Sequence, residues 1–343
     1  MKFSEINNDK LLWDFMTDPS EILVMSVSQL DGDILVLGGS GKMGKELVGL
    51  IRNADLISGH TRNIHVASTF SNQEDVEIFK SMKVDILKGD LADEEFINGL
   101  PVVQNVIYML GFKFGSRSDW RKTFHINSIV PYLIGRKYSK SRILVFSSGN
   151  PYPHTPVSEG GCVETDPLKP EGIYGWSIVA RESAFTTTAL QFPNQKLCFF
   201  RLMYAQHLLY GVLVDLARMV WHEEPVSLRM PAVNLISQRD ANEIAIRSLS
   251  LCNNPPFILN VAGPGIPVKS IGEKLGKLTG KSPQFIGEGS DKALLANDTL
   301  CRNTFGSYRD PVDEMIEGAA WWVMNGKRTW NKPTYFGKAD HKY

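Results

Sequence analysis

Short apolar runs alternate with amphipathic stretches along the first two thirds of the chain. DILVLGG (33–39) is an unbroken apolar run closed by glycine, the pattern of a strand buried on both faces. KMGKELVGLIRNA follows, with Met43, Leu47, Leu50 and Ile51 at helical spacing. The pairing recurs with NIHVAST (63–69) then NQEDVEIFKSM, and with VDILKGD (84–90) then EEFINGL. NVIYMLG (105–111) precedes DWRKTFHINSIVPYLIGRKY, which reads as a long helix interrupted or bent near Pro131. RILVFSS (142–148) leads through a proline-rich polar loop (149–172) into the helix YGWSIVARESAFTTTAL, and LCFFRLMY (197–204) is a further strand. Strands alternating with helices predict a parallel α/β sheet joined by crossovers.

The pattern changes after residue 205. VLVDLARMVWH, NEIAIRSLSL, SIGEKLGKLTG and VDEMIEGAAWWVMNG have helical spacing, PVSLRM and PQFIG read as short strands, and PFILNVAG reads as a strand returning to the sheet. Three regions are expected: a helical extension (1–30) with Leu11, Leu12, Phe15 and Met16 on its apolar face; a sheet domain (31–204, with 234–263 returning to it); and a smaller C-terminal α/β lobe with an irregular tail (205–343). Trp321 and Trp322 on the last helix read as core.

Lys plus Arg equals Asp plus Glu, at 37 each, so no overall charge draws the chain to nucleic acid or a membrane surface. There is no run of about 18 apolar residues, and the opening MKFSEINNDKLLWDF has acids where a signal peptide would be apolar. Cys162, Cys198, Cys252 and Cys301 are too scattered for a zinc site or a disulfide framework. A soluble cytoplasmic protein without a metal is expected.

GGSGKMG (38–44) places Gly38, Gly41 and Gly44 between the first strand and the first long helix. In that context glycines let the backbone, with Lys42 and Met43, approach a pyrophosphate at a helix N-terminus. This predicts a Rossmann-type doubly wound parallel sheet. The second strand ends in Ala67-Ser68-Thr69, where an NAD-preferring site places a carboxylate. Ser68 and Thr69 leave room for a 2′-phosphate without supplying a cation to hold it. NAD and NADP both fit.

Further motifs follow in order. They are GDL (89–91) with Asp90 and Leu91, LGFKFGS (110–116) with Leu110, Gly111 and Lys113, and Asn127. FSSGNPY (146–152), ETDPLKPEGIYG (164–175) and Asp240-Ala241 complete the set. With the glycine loop, the chain resembles the extended short-chain dehydrogenase/reductase, or NAD-dependent epimerase/dehydratase, family over most of its length. The resemblance implies a nicotinamide cofactor. It makes Asp90 an adenine contact, and brings Leu110, Gly111, Lys113 and Asn127 near the cofactor. Ser148 takes the catalytic hydroxyl and Tyr174 the general acid/base. It also implies a homodimer formed through the helices after the fourth and fifth strands.

The chain departs from the family at one position. The lysine of Y-x-x-x-K falls at Ile178. A tyrosine ionises near pH 10 unaided, so about one in a thousand is tyrosinate at pH 7. A neighbouring cation changes that by up to several hundredfold, the size of a general-base contribution. Lys113 is the better-placed substitute, while Arg181, seven residues after Tyr174, reads as a surface ion-pair residue. His154 reads as a solvated loop histidine and His65 as a structural one.

Only Ala205 to Tyr210 separates the sixth strand from the next helix, which gives little surface for a nucleotide diphosphate. A smaller polyhydroxylated substrate is expected, such as a sugar, sugar acid or keto-sugar, with Asn150, Tyr204, His207 and Asn234 as contacts. The expected function is NAD(P)-dependent oxidation or epimerisation of a carbohydrate derivative. The alternative is a cofactor-binding sensor or scaffold without chemistry, and the weaker alternative is a nucleotide-sugar epimerase or dehydratase.

Overall fold

The structure, a computed structural model, describes residues 1–287, 289–332, 334 and 336. Seven parallel strands form the central sheet: β1 (Ile34–Leu37), β2 (Ile64–Ser68), β3 (Asp85–Lys88), β4 (Asn105–Tyr108), β5 (Arg142–Ser148), β6 (Lys196–Leu202) and β7 (Phe257–Val261). Their order is β7-β6-β5-β4-β1-β2-β3. Chain order reverses between β1 and β4, which opens a crevice at the carboxyl ends of those strands, where open α/β sheets bind ligands.

Alternation along each strand divides the core in two. Ile34 and Val36 of β1, with Ile107 and Leu144, face α2 (Glu21–Ser28), α3 (Gly44–Ser58) and α10 (Gln238–Arg247). Leu35 and Leu37, with Val106, Tyr108, Ile143 and Val145, face α7 (Val130–Lys137) and α8 (Gly172–Gln191). Strand β3 lies at the edge and is correspondingly polar, Asp85 and Lys88 being exposed. A third core joins α9 (Val212–Trp221), α11 (Val268–Thr279) and α13 (Val312–Met324), and Trp322 is buried within it.

The N-terminal segment contributes to both halves. Leu23, Val27 and Leu30 pack under the sheet with α3, whereas Phe3, Phe15 and Met16 pack into the third core. Ser20 donates to Glu243, and Arg309 donates to the Asp18 carbonyl at 2.8 Å and to Glu243 at 3.2 Å.

The long helix is interrupted as expected, but not by a simple bend. α6 (Trp120–Phe124) runs through a π turn at His125–Ile129 into α7, and Pro131 occupies the first turn of α7. Pro131 has no N–H for the carbonyl four residues earlier, so the helical ladder is already broken there. A helix over Thr299–Phe305 has no counterpart in the sequence reading. Among the described residues no helix is long and apolar enough to cross a membrane. Most of the expected irregular tail lies outside the described residues.

Candidate active site

The glycine turn closes the crevice from below. Gly38 has φ +81° and donates its N–H to the Ala67 carbonyl at 2.8 Å. A Cβ on it would lie 2.9 Å from the Leu110 backbone nitrogen. One on Gly44 would lie 2.1 Å from the Gly39 carbonyl oxygen. Only glycine permits this approach of β1, α3 and the loop after β4. No side chain caps α3, so its first N–H groups face the turn. The cradle therefore fits a dinucleotide pyrophosphate.

At the carboxyl end of β2 the Ser40 and Ser68 hydroxyls are 2.5 Å apart, a pairing the sequence reading does not contain. Thr69 is exposed, Asp90 accepts from the Ala92 N–H at 2.9 Å, and Leu91 is buried.

On the other side of the crevice Ser148 ends β5 and Tyr174 lies in the first turn of α8. The Ser148 hydroxyl lies beside the Tyr174 phenol and favours its ionised form. Ser148 in turn donates to Asn150 Oδ1 at 2.9 Å and accepts from the Asn150 N–H at 3.2 Å. Lys113 comes from the loop after β4, and its Nζ lies 5.3 Å from the Tyr174 ring centroid. Four expected residues thus meet at one sheet edge. Loss of hydration, followed by repulsion from Lys42, brings the Lys113 amine down to about 8. Lys42 is also brought to about 8, by burial and then by Lys332; its Nζ lies 3.2 Å from the Tyr210 ring centroid.

Ile178 is fully buried. Arg181 is not the surface ion-pair residue expected from its spacing. It is 3% exposed, and the reason is geometric: its side chain turns into the space between β5 and the π turn. It donates to the Phe146 carbonyl and to Asn127 Oδ1, both at 2.8 Å. Asn127 also accepts from the Phe112 N–H and donates to the Phe112 carbonyl and to Ser177 Oγ, each at 2.9 Å. Ser177 donates to the Tyr174 carbonyl at 2.7 Å. Asn127 thus ties the Lys113 loop to the Tyr174 turn. Burial raises the Tyr174 phenol above its ordinary value, against the opposing pull of Arg181 and the Ser148 hydroxyl.

Two expected substrate contacts have other partners. Asn234 gives Nδ2 to the Gly263 and Ala296 carbonyls at 2.8 and 3.1 Å and takes the Ala296 N–H at 2.9 Å, so its amide is consumed by backbone. His207 is buried beside α3: Nδ1 accepts from the Leu209 N–H at 3.1 Å, and Nε2 lies 3.6 Å from Glu46. Its ring stacks on Trp330. Tyr204 stands edge-on to Phe336. His154 lies 3.8 Å from Glu171 and His65 3.0 Å from Asp85.

Solved structures share this arrangement of sheet and crevice. MoeE5, crystallised with UDP-glucose and NAD, matches with TM-score 0.68 at 18% identity over 86% of this chain and 99% of its own. The chain has the fold of the UDP-sugar 4-epimerases. The UDP-glucose 4-epimerase of Thermus thermophilus, solved with NAD, gives TM-score 0.68 at 19% identity, and the UDP-Glc/GlcNAc 4-epimerase of Campylobacter jejuni gives 0.68 at 17%. Each covers 86% of this chain and 99% of its own. By sequence, no family model and no curated protein matches the chain.

Proposed function

We propose that the chain binds a nicotinamide dinucleotide and oxidises or epimerises a hydroxyl-bearing carbon of a carbohydrate derivative. The meeting of Ser148, Tyr174 and Lys113 at the sheet edge, across from the glycine turn, carries this reading. The glycine cradle and the open first turn of α3 would hold the pyrophosphate, and Ser40 and Ser68 would face the adenosine ribose. A bound nicotinamide supplies the acceptor for a hydride. Ser148 would hold the substrate hydroxyl, and Tyr174 would take its proton. Lys113 would stand over the phenol and favour its ionised form while still protonated. Asn150 would fix the Ser148 hydroxyl. The nicotinamide cofactors and sugar nucleotides of the similar structures support this class of chemistry. The short Ala205–Tyr210 link favours a substrate smaller than a nucleotide sugar.

Mass spectrometry of small molecules released by gentle denaturation tests the reading. Near-stoichiometric NAD or NADH is expected if an epimerase cycle retains its cofactor; NADP points to a reductase. If neither cofactor is released and neither binds at millimolar concentration, the reading fails. Once a substrate is found, Tyr174→Phe should lower turnover by about 10²–10⁴-fold while cofactor affinity is kept. The buried Ile178 favours a second reading, a cofactor-binding protein without turnover. In that case Tyr174→Phe would change nothing.

A further inference from the structure

A cavity of about 210 Å³ lies where five segments meet: α1 (Asp9–Met16), the first turn of α3, the start of α4 (Gln73–Ser81), the Ala205–Tyr210 link and the chain after α13. Its walls include no residue of the glycine turn or of the Ser148–Tyr174 corner. His207, expected at the substrate, lines this cavity instead. Two of the wall groups are buried with hydrogen-bonding capacity unused. His207 is 3% exposed, and its Nδ1 accepts the Leu209 N–H at 3.1 Å, so the ring proton is on Nε2. That Nε2 has no hydrogen-bond partner. It lies 3.6 Å from Glu46 Oε1, too far for a bond. Glu46 is itself buried, and its one hydrogen bond among the described residues is a long one, from Gln238 to Oε2 at 3.3 Å. Other buried carboxylates are better served: Glu182 meets Arg201, Asp310 meets Arg239, and Asp240 accepts the Arg309 and Asp310 N–H groups.

We propose that this cavity is a second ligand site. It takes a neutral polyhydroxylated molecule no larger than a single sugar ring, with one hydroxyl set between His207 Nε2 and Glu46 Oε1. A hydroxyl is the group that meets both needs, since its oxygen accepts from Nε2–H while its own proton goes to the carboxylate. Trp330 stacks on the His207 ring at 5.6 Å and fixes its direction. The Glu74 carboxylate, the Asn72 amide and the Trp13 indole add polar groups and aromatic surface to the same wall. Charge does not call for an ionic ligand. Lys45 is paired with Asp75 and Arg328 with Asp9, each at 2.6 Å. Glu46 and Glu74 lie in the first turns of α3 and α4, where the helix dipole favours a carboxylate. The volume sets the size. It is several times the roughly 30 Å³ of one water and below the roughly 300 Å³ at which pockets for larger organic ligands begin.

Indole N–H NMR of the full chain, labelled at tryptophan, tests this with myo-inositol and D-glucose as probes. Trp13→Phe and Trp330→Phe identify the two signals. The Trp13 signal should shift and saturate with a millimolar Kd for at least one probe. Glu46→Gln keeps the shape of the side chain and removes its charge, and should weaken that binding by about tenfold or more. Ile78→Phe fills the cavity from a half-buried position on α4 and should abolish binding, an arm that decides the matter if Glu46→Gln does not fold. Ser148→Ala should leave the midpoint where it is, because the crevice takes no part. A Trp13 signal that does not move below about 0.1 M of either probe overturns the inference and leaves the cavity to water. So does a midpoint that Glu46→Gln or Ile78→Phe leaves in place, or one that Ser148→Ala moves by about tenfold. No cofactor enters the titration, so the result stands apart from the proposed function.

Discussion

Burial and charge compete at the lysines as they do at Tyr174. Lys113 ionises near 8 in the folded chain against 10.5 for a free lysine. Below pH 8 the folded and unfolded chains both carry the charge, and the folded one bears its lost hydration. Between 8 and 10.5 only the unfolded chain still holds the proton, so stability rises with pH across that window. Lys113→Met should therefore stabilise the protein at pH 7, by on the order of 1 kcal/mol after discounting for the water that still reaches the side chain. The gain should vanish in denaturant melts above pH 10.5. Trace acylation at pH 8 gives a second readout. An amine with a pKa near 8 is half neutral there, so Lys42 should react roughly a hundredfold faster than an ordinary exposed lysine, less any shielding. Bound dinucleotide should protect it. No change in rate on adding cofactor would remove Lys42 from the cradle.

Among the elements, the glycine turn is the least tolerant of change. Gly44→Ala would drive a methyl into the Gly39 carbonyl, a backbone atom that cannot swing aside. The expected result is a loss of about 2–3 kcal/mol and at least a tenfold weaker dinucleotide titration, with the sheet intact by circular dichroism. This turn was legible because glycine spacing, a buried strand and an amphipathic helix each encode it locally. So were the seven strands, whose apolar runs are short and bounded by turn residues. The site was legible only where a motif has fixed spacing. Ser148 and Tyr174 meet as their motifs imply. Arg181 was misread because its role depends on a long side chain turning inward between β5 and the π turn, a choice of direction that spacing on a helix does not specify. Asn234 was misread for a related reason: its position at the sheet edge was inferred, but its three backbone partners come from loops 29 and 62 positions away. The Ser40–Ser68 pair escaped notice because its members are 28 positions apart.

At the scale of the molecule, the first thirty residues brace the two halves. Phe15 packs edge-on against Phe3 at 5.1 Å, and the Arg239 guanidinium lies 3.7 Å from its ring centroid. Phe15→Ala should cost about 3–5 kcal/mol in urea unfolding, as a core truncation does. A cost below about 1 kcal/mol would make the segment an ornament. The helices after β4 and β5 leave Trp120, Ile129 and Trp176 about half exposed, at 51%, 51% and 56%. The family resemblance alone implies a homodimer through these helices; if that holds, sedimentation should show a dimeric parent and a monomeric Trp176→Glu.

The clasp between Arg309 and Asp18 joins positions 291 apart in the chain. During synthesis the opening helices therefore emerge long before the residues that hold them have been made. Leu23 and Val27 can settle on α3 early, but Phe3, Phe15 and Met16 wait, uncovered or shielded by a chaperone, for the helices of the third core. A chain built this way closes its clasp only once Arg309 has been made, however early its glycine turn and first strands have formed.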